Sequence, residues 1–284
     1  MKPVTKKQIA VISGIFIVIV LLLLANTTIP KKQEGTMSSE HAGNKSSLTF
    51  ATIVEKAKGT LSTKNKEVLQ KLEEVVKTSP DKKTAFENII NRWDSLNQPA
   101  VAAYYMEQAA LASPVEKNWK QAADRYYGAT RFVNDSESTA AEEKALLFSK
   151  AIECYEKTIA LNPENTDAKI NLAACYVEGS SNPMKGIGLL KEVEKTDSNN
   201  VNLQLNFAFF SEKSGQWNKA IERFKKVLKI QPDFIEAYLH LADAYKEMGD
   251  KKLALENLEK YKNLVDDETI KAEVQDYINQ LKNT

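Results

Sequence analysis

The chain has 284 residues, of which 43% are hydrophobic and 27% are charged, a composition typical of one large or two small globular domains. Only ten glycines and eight prolines are present, and so few turn-forming residues argue against a many-stranded β protein. The net charge of +1 hides an asymmetry. Residues 1–32 hold five lysines and no acid, whereas residues 33–284 hold 34 basic and 38 acidic side chains. A mildly acidic main part does not suit a nucleic-acid-binding protein.

A long apolar segment lies close to the N-terminus. Residues 9–25 carry no charge, and extension to residue 29 gives 21 residues, which as a helix would span about 30 Å, the thickness of a bilayer core. A cleaved signal peptide is the alternative. Its apolar part is usually shorter, about 7–15 residues, and Ala25-Asn26-Thr27 is a poor cleavage site. The segment predicts one transmembrane helix over residues 9–29, acting as an uncleaved signal anchor.

Lysines on both sides of this segment predict its orientation. Three lysines precede it within residues 1–8, and Lys31 and Lys32 follow it. Because cytoplasmic flanks carry an excess of Lys and Arg, we expect residues 1–8 in the cytoplasm and the main part in the periplasm or another extracytoplasmic space. Residues 30–47 are almost free of apolar side chains, which indicates a flexible linker.

Residues 48–115 are predicted to be helical. Phe86, Ile89, Ile90 and Trp93 recur at spacings of three and four residues, the spacing of one helix face. Two interpretations fit this region: degenerate copies of the repeat that follows it, or an unrelated helical cap.

A repeat of 34 to 35 residues is the strongest pattern in the chain. The segments that begin at Asp167, Asn202 and Glu236 align, and each precedes a second segment with helical spacing of its apolar residues. Pro163 and Pro232 follow two second segments, and proline ends a helix because it lacks an N–H donor. The pattern predicts two-helix units that stack, since one hairpin cannot bury its apolar stripe alone.

The repeat resembles the tetratricopeptide repeat (TPR), a 34-residue helix–turn–helix unit. The last repeat matches the family pattern at six positions: Tyr238, Leu241, Ala242, Tyr245, Ala254 and Leu258. Gln204 and Ser211 depart from the pattern one repeat earlier. In the repeat before that, Gly186 stands one residue late where the family has alanine. The resemblance implies an all-α, right-handed α-solenoid of TPR helix hairpins, preceded here by the single transmembrane helix.

The repeat region is predicted to cover residues 116–265. Its units have the approximate bounds 116–165, 166–200, 201–234 and 235–266. The first unit is lengthened by about sixteen residues relative to the last two, including the polar run at 134–143. Residues 267–284 are predicted to form a C-terminal capping helix that shields the last repeat.

Sequence motifs for catalysis are absent. The chain has no HExxH, P-loop, GxSxG or CxxC motif, and its histidines are His41, in the linker, and His240. Cys154 and Cys175 are expected to be small, buried hydrophobic residues. We therefore expect no catalytic residue, no metal site and no cofactor, and we predict that the protein is not an enzyme.

The TPR resemblance also implies a binding surface. Asn171, Asn206 and His240 occupy equivalent positions of three first helices, on the side that is concave in the family. Their neighbours are more apolar than those of repeats that bind a carboxylate. We therefore expect a groove for a protein or peptide partner. The predicted groove residues are Asn171, Leu205, Asn206, Phe209, Leu239 and His240.

Three classes of function fit the sequence. The leading one is a membrane-anchored TPR scaffold that binds partner proteins or peptides, with no nucleic acid among its partners. The second is a structural or assembly subunit of a permanent membrane complex, with an architecture similar to that of the anchored TPR subunits of cytochrome c maturation. The third and least favoured is an enzyme with an unrecognised site in residues 48–115.

Overall fold

A computed structural model describes residues 48–283, and the regular structure in this range is entirely helical. The predicted cytoplasmic segment 1–8, transmembrane helix 9–29 and linker 30–47 lie outside the described residues. Between residues 48 and 283, no helix is both long enough and apolar enough to cross a membrane.

The helices follow one another with short connections, apart from a longer one after α5 that begins with a 3-10 turn, Thr130–Phe132. The α-helical bounds are α1 Phe50–Gly59, α2 Thr63–Thr78, α3 Lys82–Ser95, α4 Pro99–Ala112, α5 Glu116–Ala129, α6 Ala140–Leu161, α7 Thr166–Gly179, α8 Pro183–Thr196, α9 Val201–Lys213, α10 Trp217–Ile230, α11 Glu236–Glu247, α12 Lys251–Leu264 and α13 Glu268–Asn283.

The helices form a solenoid of hairpins. From α2 onward, each helix packs against the next one in the chain. The first helices α5, α7 and α9 also touch in series, whereas no two of the second helices α6, α8, α10 and α12 make comparable contact. A stack of hairpins curves toward the side on which its helices lie closer together. The first helices therefore line the inner side, which agrees with the predicted all-α solenoid.

Local sequence explains where several repeat helices begin and how two hairpins turn. The side chains of Asn165, Asn200 and Asp250 accept backbone N–H groups three residues ahead, which caps α7, α9 and α12. Gly215 and Gly249 lie in the turns after α9 and α11 with φ of 70° and 79°. This left-handed conformation strains residues that have a Cβ, so glycine suits both turns.

Buried side chains of residues 48–283 form three clusters along the solenoid. The N-terminal cluster reaches from Phe50 to Tyr176 and the C-terminal cluster from Ala208 to Leu281. A small middle cluster joins α7, α8 and α9. Its members are Ile170, Ala173, Leu190, Val193, Leu203 and Phe207. The small residues Ala173, Ala208 and Ala242 on the first helices are all at most 1% exposed.

Residues from the 48–115 region share the N-terminal cluster with the first repeats. Helix α1 packs on α4, and the ring of Phe50 stacks on Tyr104 with centroids 5.9 Å apart. Phe50 also meets the edge of Tyr126 on α5 at 5.2 Å. Buried Glu107 on α4 accepts a hydrogen bond of 2.6 Å from the Tyr126 hydroxyl. These contacts join α1 and α4 directly to the first repeat hairpin.

Candidate functional site

The predicted groove residues lie on three first helices: Asn171 on α7, Leu205, Asn206 and Phe209 on α9, and Leu239 and His240 on α11. The structure brings only some of them together. Phe209 and His240 meet across the gap between α9 and α11, with ring centroids 5.0 Å apart. Since α9 and α11 belong to successive hairpins, this contact forms where two repeats stack.

We call Phe209, Phe224 and His240 the aromatic cluster. The His240 ring lies flat on Phe224, with centroids 4.9 Å apart and an interplanar angle of 6°. Phe209 stands edge-on to both, at 5.0 Å from His240 and 5.6 Å from Phe224. Phe224 is fully buried, whereas 38% of Phe209 is exposed. Such contacts contribute about 0.5–1.5 kcal/mol each beyond area burial, so they hold the exposed ring in a fixed orientation.

Two carboxylates border the aromatic cluster, each three residues after one of its rings. Glu212 follows Phe209 on α9, and its Oε2 lies 3.5 Å from His240 Nδ1. Asp243 follows His240 on α11 and accepts a hydrogen bond of 3.0 Å from the Tyr277 hydroxyl of α13. Burial raises the pKa of the Asp243 carboxyl, while the Tyr277 bond and nearby His240 and Lys246 act in the opposite direction.

The other predicted groove residues lie apart from this cluster or contribute little to the surface. Asn171 donates to Asp124 Oδ1 of α5 at 3.3 Å, which links α7 to the preceding hairpin. Asn206 donates to the carbonyl of Asn202 in its own helix at 2.8 Å. Leu205 and Leu239 are half-buried against the C-terminal cluster.

Ile170, the apolar neighbour that precedes Asn171, does not line a groove. It is fully buried in the middle cluster, because α7 packs against α8 and α9 at that point. Sequence reasoning also missed Phe224 and Glu212 as parts of the site. The spacing of three between Phe209 and Glu212 could have indicated the carboxylate, since residues three apart share a helix face. Phe224 had no such signal, because it belongs to a second helix.

A cavity of about 450 Å³ lies in the region where the sequence allowed an unrecognised enzyme site. Among its lining residues, Lys58 pairs with Glu73 at 2.9 Å and with Glu55 at 3.5 Å. Glu73 also accepts a 2.7 Å hydrogen bond from Tyr105, and burial followed by this bond raises the pKa of that phenol. Glu73 is thus engaged in contacts between helices, and Glu55 pairs with Lys58 within α1.

Metal ligation and thiol chemistry find little support in the part of the chain that the structure describes. Residues 48–283 contain no group of three or more His, Cys, Asp or Glu side chains arranged to hold a metal ion. Cys154 and Cys175 are buried free thiols, as the sequence predicted. Burial raises the pKa of Cys154 to about 12, so its reactive thiolate is scarce at neutral pH.

Comparison with known families covers two members of the aromatic cluster, Phe224 and His240. Residues 213–249 match the TPR repeat family, and residues 235–264 match the tetratricopeptide repeat family. Residues 213–264 carry tetratricopeptide repeats. Over 81 residues, 28% of this chain, the sequence is 28% identical to the tetratricopeptide repeat-containing protein trd-1 of Caenorhabditis elegans. The match spans only 10% of the length of that relative.

One solved structure shows the same fold beyond the matched repeats. A tetratricopeptide repeat protein from Parabacteroides merdae superposes with a TM-score of 0.55 at 15% identity, over 82% of this chain and 87% of that one. PilW, described as a type IV pilus biogenesis factor, gives a TM-score of 0.49 at 15% identity, over 75% of this chain and 90% of its own. The superposition on the Parabacteroides protein supports a TPR-like solenoid for most of the chain and concerns the fold alone.

Proposed function

We propose that the protein is a membrane-anchored TPR scaffold that recruits a partner protein through the inner side of its solenoid, with the aromatic cluster as the contact point. The proposal rests on the exposure and the packing of the Phe209 ring. The ring is 38% exposed, yet Phe224 and His240 hold it from two sides. Aromatic side chains dominate the energetics of many interfaces, and a ring that is already ordered loses little entropy on binding.

The anchor is the second part of the proposal and rests on the uncharged segment 9–29. A transmembrane helix would confine the repeats to the membrane surface and raise their concentration near membrane-bound partners. The polar linker 30–47 would give the repeats reach. On this proposal, the repeats lie on the extracytoplasmic side, as the lysine distribution favours.

The test of the contact point begins with crosslinking in native membranes and mass spectrometry of the captured partner. Affinity for that partner is then measured for Phe209→Ala, which we expect to weaken binding by about 1–3 kcal/mol because an ordered aromatic contact is lost. Leu264→Ala on α12 is the matched control. This side chain is also apolar and about half exposed, at 49%, but it lies on a second helix.

Two outcomes would count against the contact point. If folded Phe209→Ala binds as tightly as the wild type, the inner side is not the contact surface. If Leu264→Ala weakens binding instead, contacts run through the second helices. The structural-subunit interpretation would then be preferred.

The anchor has its own test, which uses the full chain in native membranes. We expect the protein to stay in the membrane fraction after alkaline washing and to keep its N-terminus, because residues 9–29 lack a good cleavage site. Protease added from the extracytoplasmic side should degrade the chain beyond Lys31. A mature N-terminus near Thr28 would show cleavage, and protection from the protease would reverse the orientation.

A further inference from the structure

The last three repeat hairpins, α7 to α12, and α13 sort their charged residues by helix, whereas the first hairpin, α5 and α6, does not. In the first helices α7, α9 and α11, together with α13, nine side chains are acidic and five are basic. In the second helices α8, α10 and α12, twelve are basic and five are acidic. The first-helix side of this part of the solenoid is therefore acidic, and the second-helix side is basic. A net charge near zero for the whole chain conceals this difference.

The carboxylates next to the aromatic cluster belong to this acidic side. Glu212 and Asp243 both border the rings, and among residues 48–283 Glu212 makes no ion pair with a Lys or Arg. Lys213 and Lys246 are the nearby cations on α9 and α11, and the ammonium group of Lys246 lies 5.4 Å from the centre of the Tyr277 ring. Glu212 thus offers a carboxylate beside Phe209 whose neighbour, His240, is charged only when protonated.

We propose that the partner segment docking on the aromatic cluster is cationic: an extended stretch in which Lys or Arg residues flank an apolar side chain. This inference rests on the proposed function and specifies its ligand. The apolar side chain would cover the exposed Phe209 ring, and the cation would pair with Glu212. Arginine suits the site best, because its guanidinium can stack on an aromatic ring while it bonds to a carboxylate.

Charge complementarity also excludes the opposite ligand. An acidic segment would place carboxylates against Glu212 and Asp243 and would be repelled by the acidic first helices. A neutral apolar segment would keep its contact with Phe209 but would leave Glu212 without a cationic partner. The order of affinity expected from the structure is basic, then neutral, then acidic.

The experiment measures fluorescence anisotropy of three labelled peptides of about twelve residues, alternating Leu with Arg, Gln or Glu. The full chain is reconstituted in nanodiscs of phosphatidylcholine, which carries no net charge and does not attract the basic peptide. At about 150 mM salt, which screens distant charges, we expect the Leu/Arg peptide to bind at least tenfold more tightly than the Leu/Gln peptide. The Leu/Glu peptide should bind most weakly.

Two substitutions that each remove one negative charge show where the peptide binds. Glu212→Gln should weaken binding of the Leu/Arg peptide about three- to tenfold, since it removes the carboxylate beside Phe209. Glu222→Gln changes the net charge by the same amount on the exposed face of the second helix α10, and it should leave the affinity unchanged.

The outcomes separate this inference from the proposed function. If the Leu/Gln and Leu/Arg peptides bind equally and Phe209→Ala weakens both, the contact point stands and the cationic ligand is wrong. Preference for the Leu/Glu peptide, loss of affinity with Glu222→Gln alone, or no binding of the Leu/Arg peptide would also overturn the inference. If Phe209→Ala binds the captured partner with wild-type affinity, the proposed function is overturned instead.

Discussion

At the residue scale, Asp243 shows how the site holds a carboxylate in a largely buried position. Its neighbours are His240 and Lys246 on its own helix, Glu212 on α9 and the Tyr277 hydroxyl on α13. Burial is the largest influence and raises the carboxyl pKa above the ordinary value of 3.8. Because the folded state favours the protonated acid, the protein becomes less stable as Asp243 ionises. The stability that Asp243 contributes is therefore complete below pH 3.8 and is lost as the pH rises through the raised pKa.

Asp243→Asn should remove this pH dependence, because asparagine keeps an acceptor for Tyr277 but does not ionise. The free energy of unfolding of the variant, relative to the wild type, should therefore increase between about pH 4 and pH 7. Urea titrations across this range would measure it. Asp276→Asn, which removes an exposed carboxylate from α13, serves as the control and should show a smaller change. A relative stability that falls with pH would contradict the assignment.

The sequence identified Phe209 and His240 as groove residues, and the structure shows them in contact. The repeat register carried that information, because it placed both residues on the first-helix side. Asn171 lies apart from them on α7 and bonds to Asp124 on α5, an interaction between residues far apart in the chain that periodicity does not encode. Whether these residues bind a partner stays a prediction.

At the element scale, Gly186 sets the distance between α7 and α8. A Cβ at this position would lie 2.3 Å from the carbonyl oxygen of Ala173, and backbone cannot move aside cheaply. The TPR pattern predicts alanine one residue before Gly186. It explains neither why the residue is glycine nor why it stands one position late. The structure supplies the reason, because only a residue without a side chain permits this approach.

Gly186→Ala should destabilise the protein by about 1–3 kcal/mol, since the added methyl group forces the helices apart. Gly188→Ala in the same helix is the matched control. A Cβ there meets no atom within 4 Å, and alanine's better helix propensity should stabilise by up to about 1 kcal/mol. Denaturant unfolding of both variants measures the difference. Equal effects of the two substitutions would show that α7 and α8 do not approach this closely.

At the scale of the whole molecule, the divided core makes stability a local property. The N-terminal and C-terminal clusters share no residue, and the small middle cluster lies between them. In stacked repeats, stability is roughly a sum over units and their nearest-neighbour interfaces. A cavity at one end should therefore loosen that end first.

Leu147→Ala and Leu258→Ala form a matched pair for this prediction. Both side chains are 0% exposed, one in the N-terminal and one in the C-terminal cluster, and each truncation should cost about 2–5 kcal/mol. Hydrogen exchange should lose protection mainly in α3–α7 for the first variant and in α9–α13 for the second. Uniform loss along residues 48–283 in both variants would mean that the solenoid unfolds as one unit.

The repeat period predicted stacked hairpins, because every hairpin must cover its neighbour, and the TPR resemblance implied the solenoid. The packing of α1 on α4, with Phe50 against Tyr104 and Tyr126, was not predictable in the same way. That contact joins segments about fifty residues apart, and nothing in the spacing of their apolar residues specifies the pairing. The sequence therefore left open how residues 48–115 relate to the repeats.

The two left-handed glycines also define a unit for protein engineering. Gly215 and Gly249 adopt nearly the same backbone conformation one repeat apart, so the chain passes through equivalent points at both turns. A cassette of residues 215–248, duplicated immediately before Gly249, would join compatible turns at both of its ends. Such a duplication would lengthen the inner surface by one hairpin while leaving α13 to close the end, and receptors of graded length could be built from this one chain.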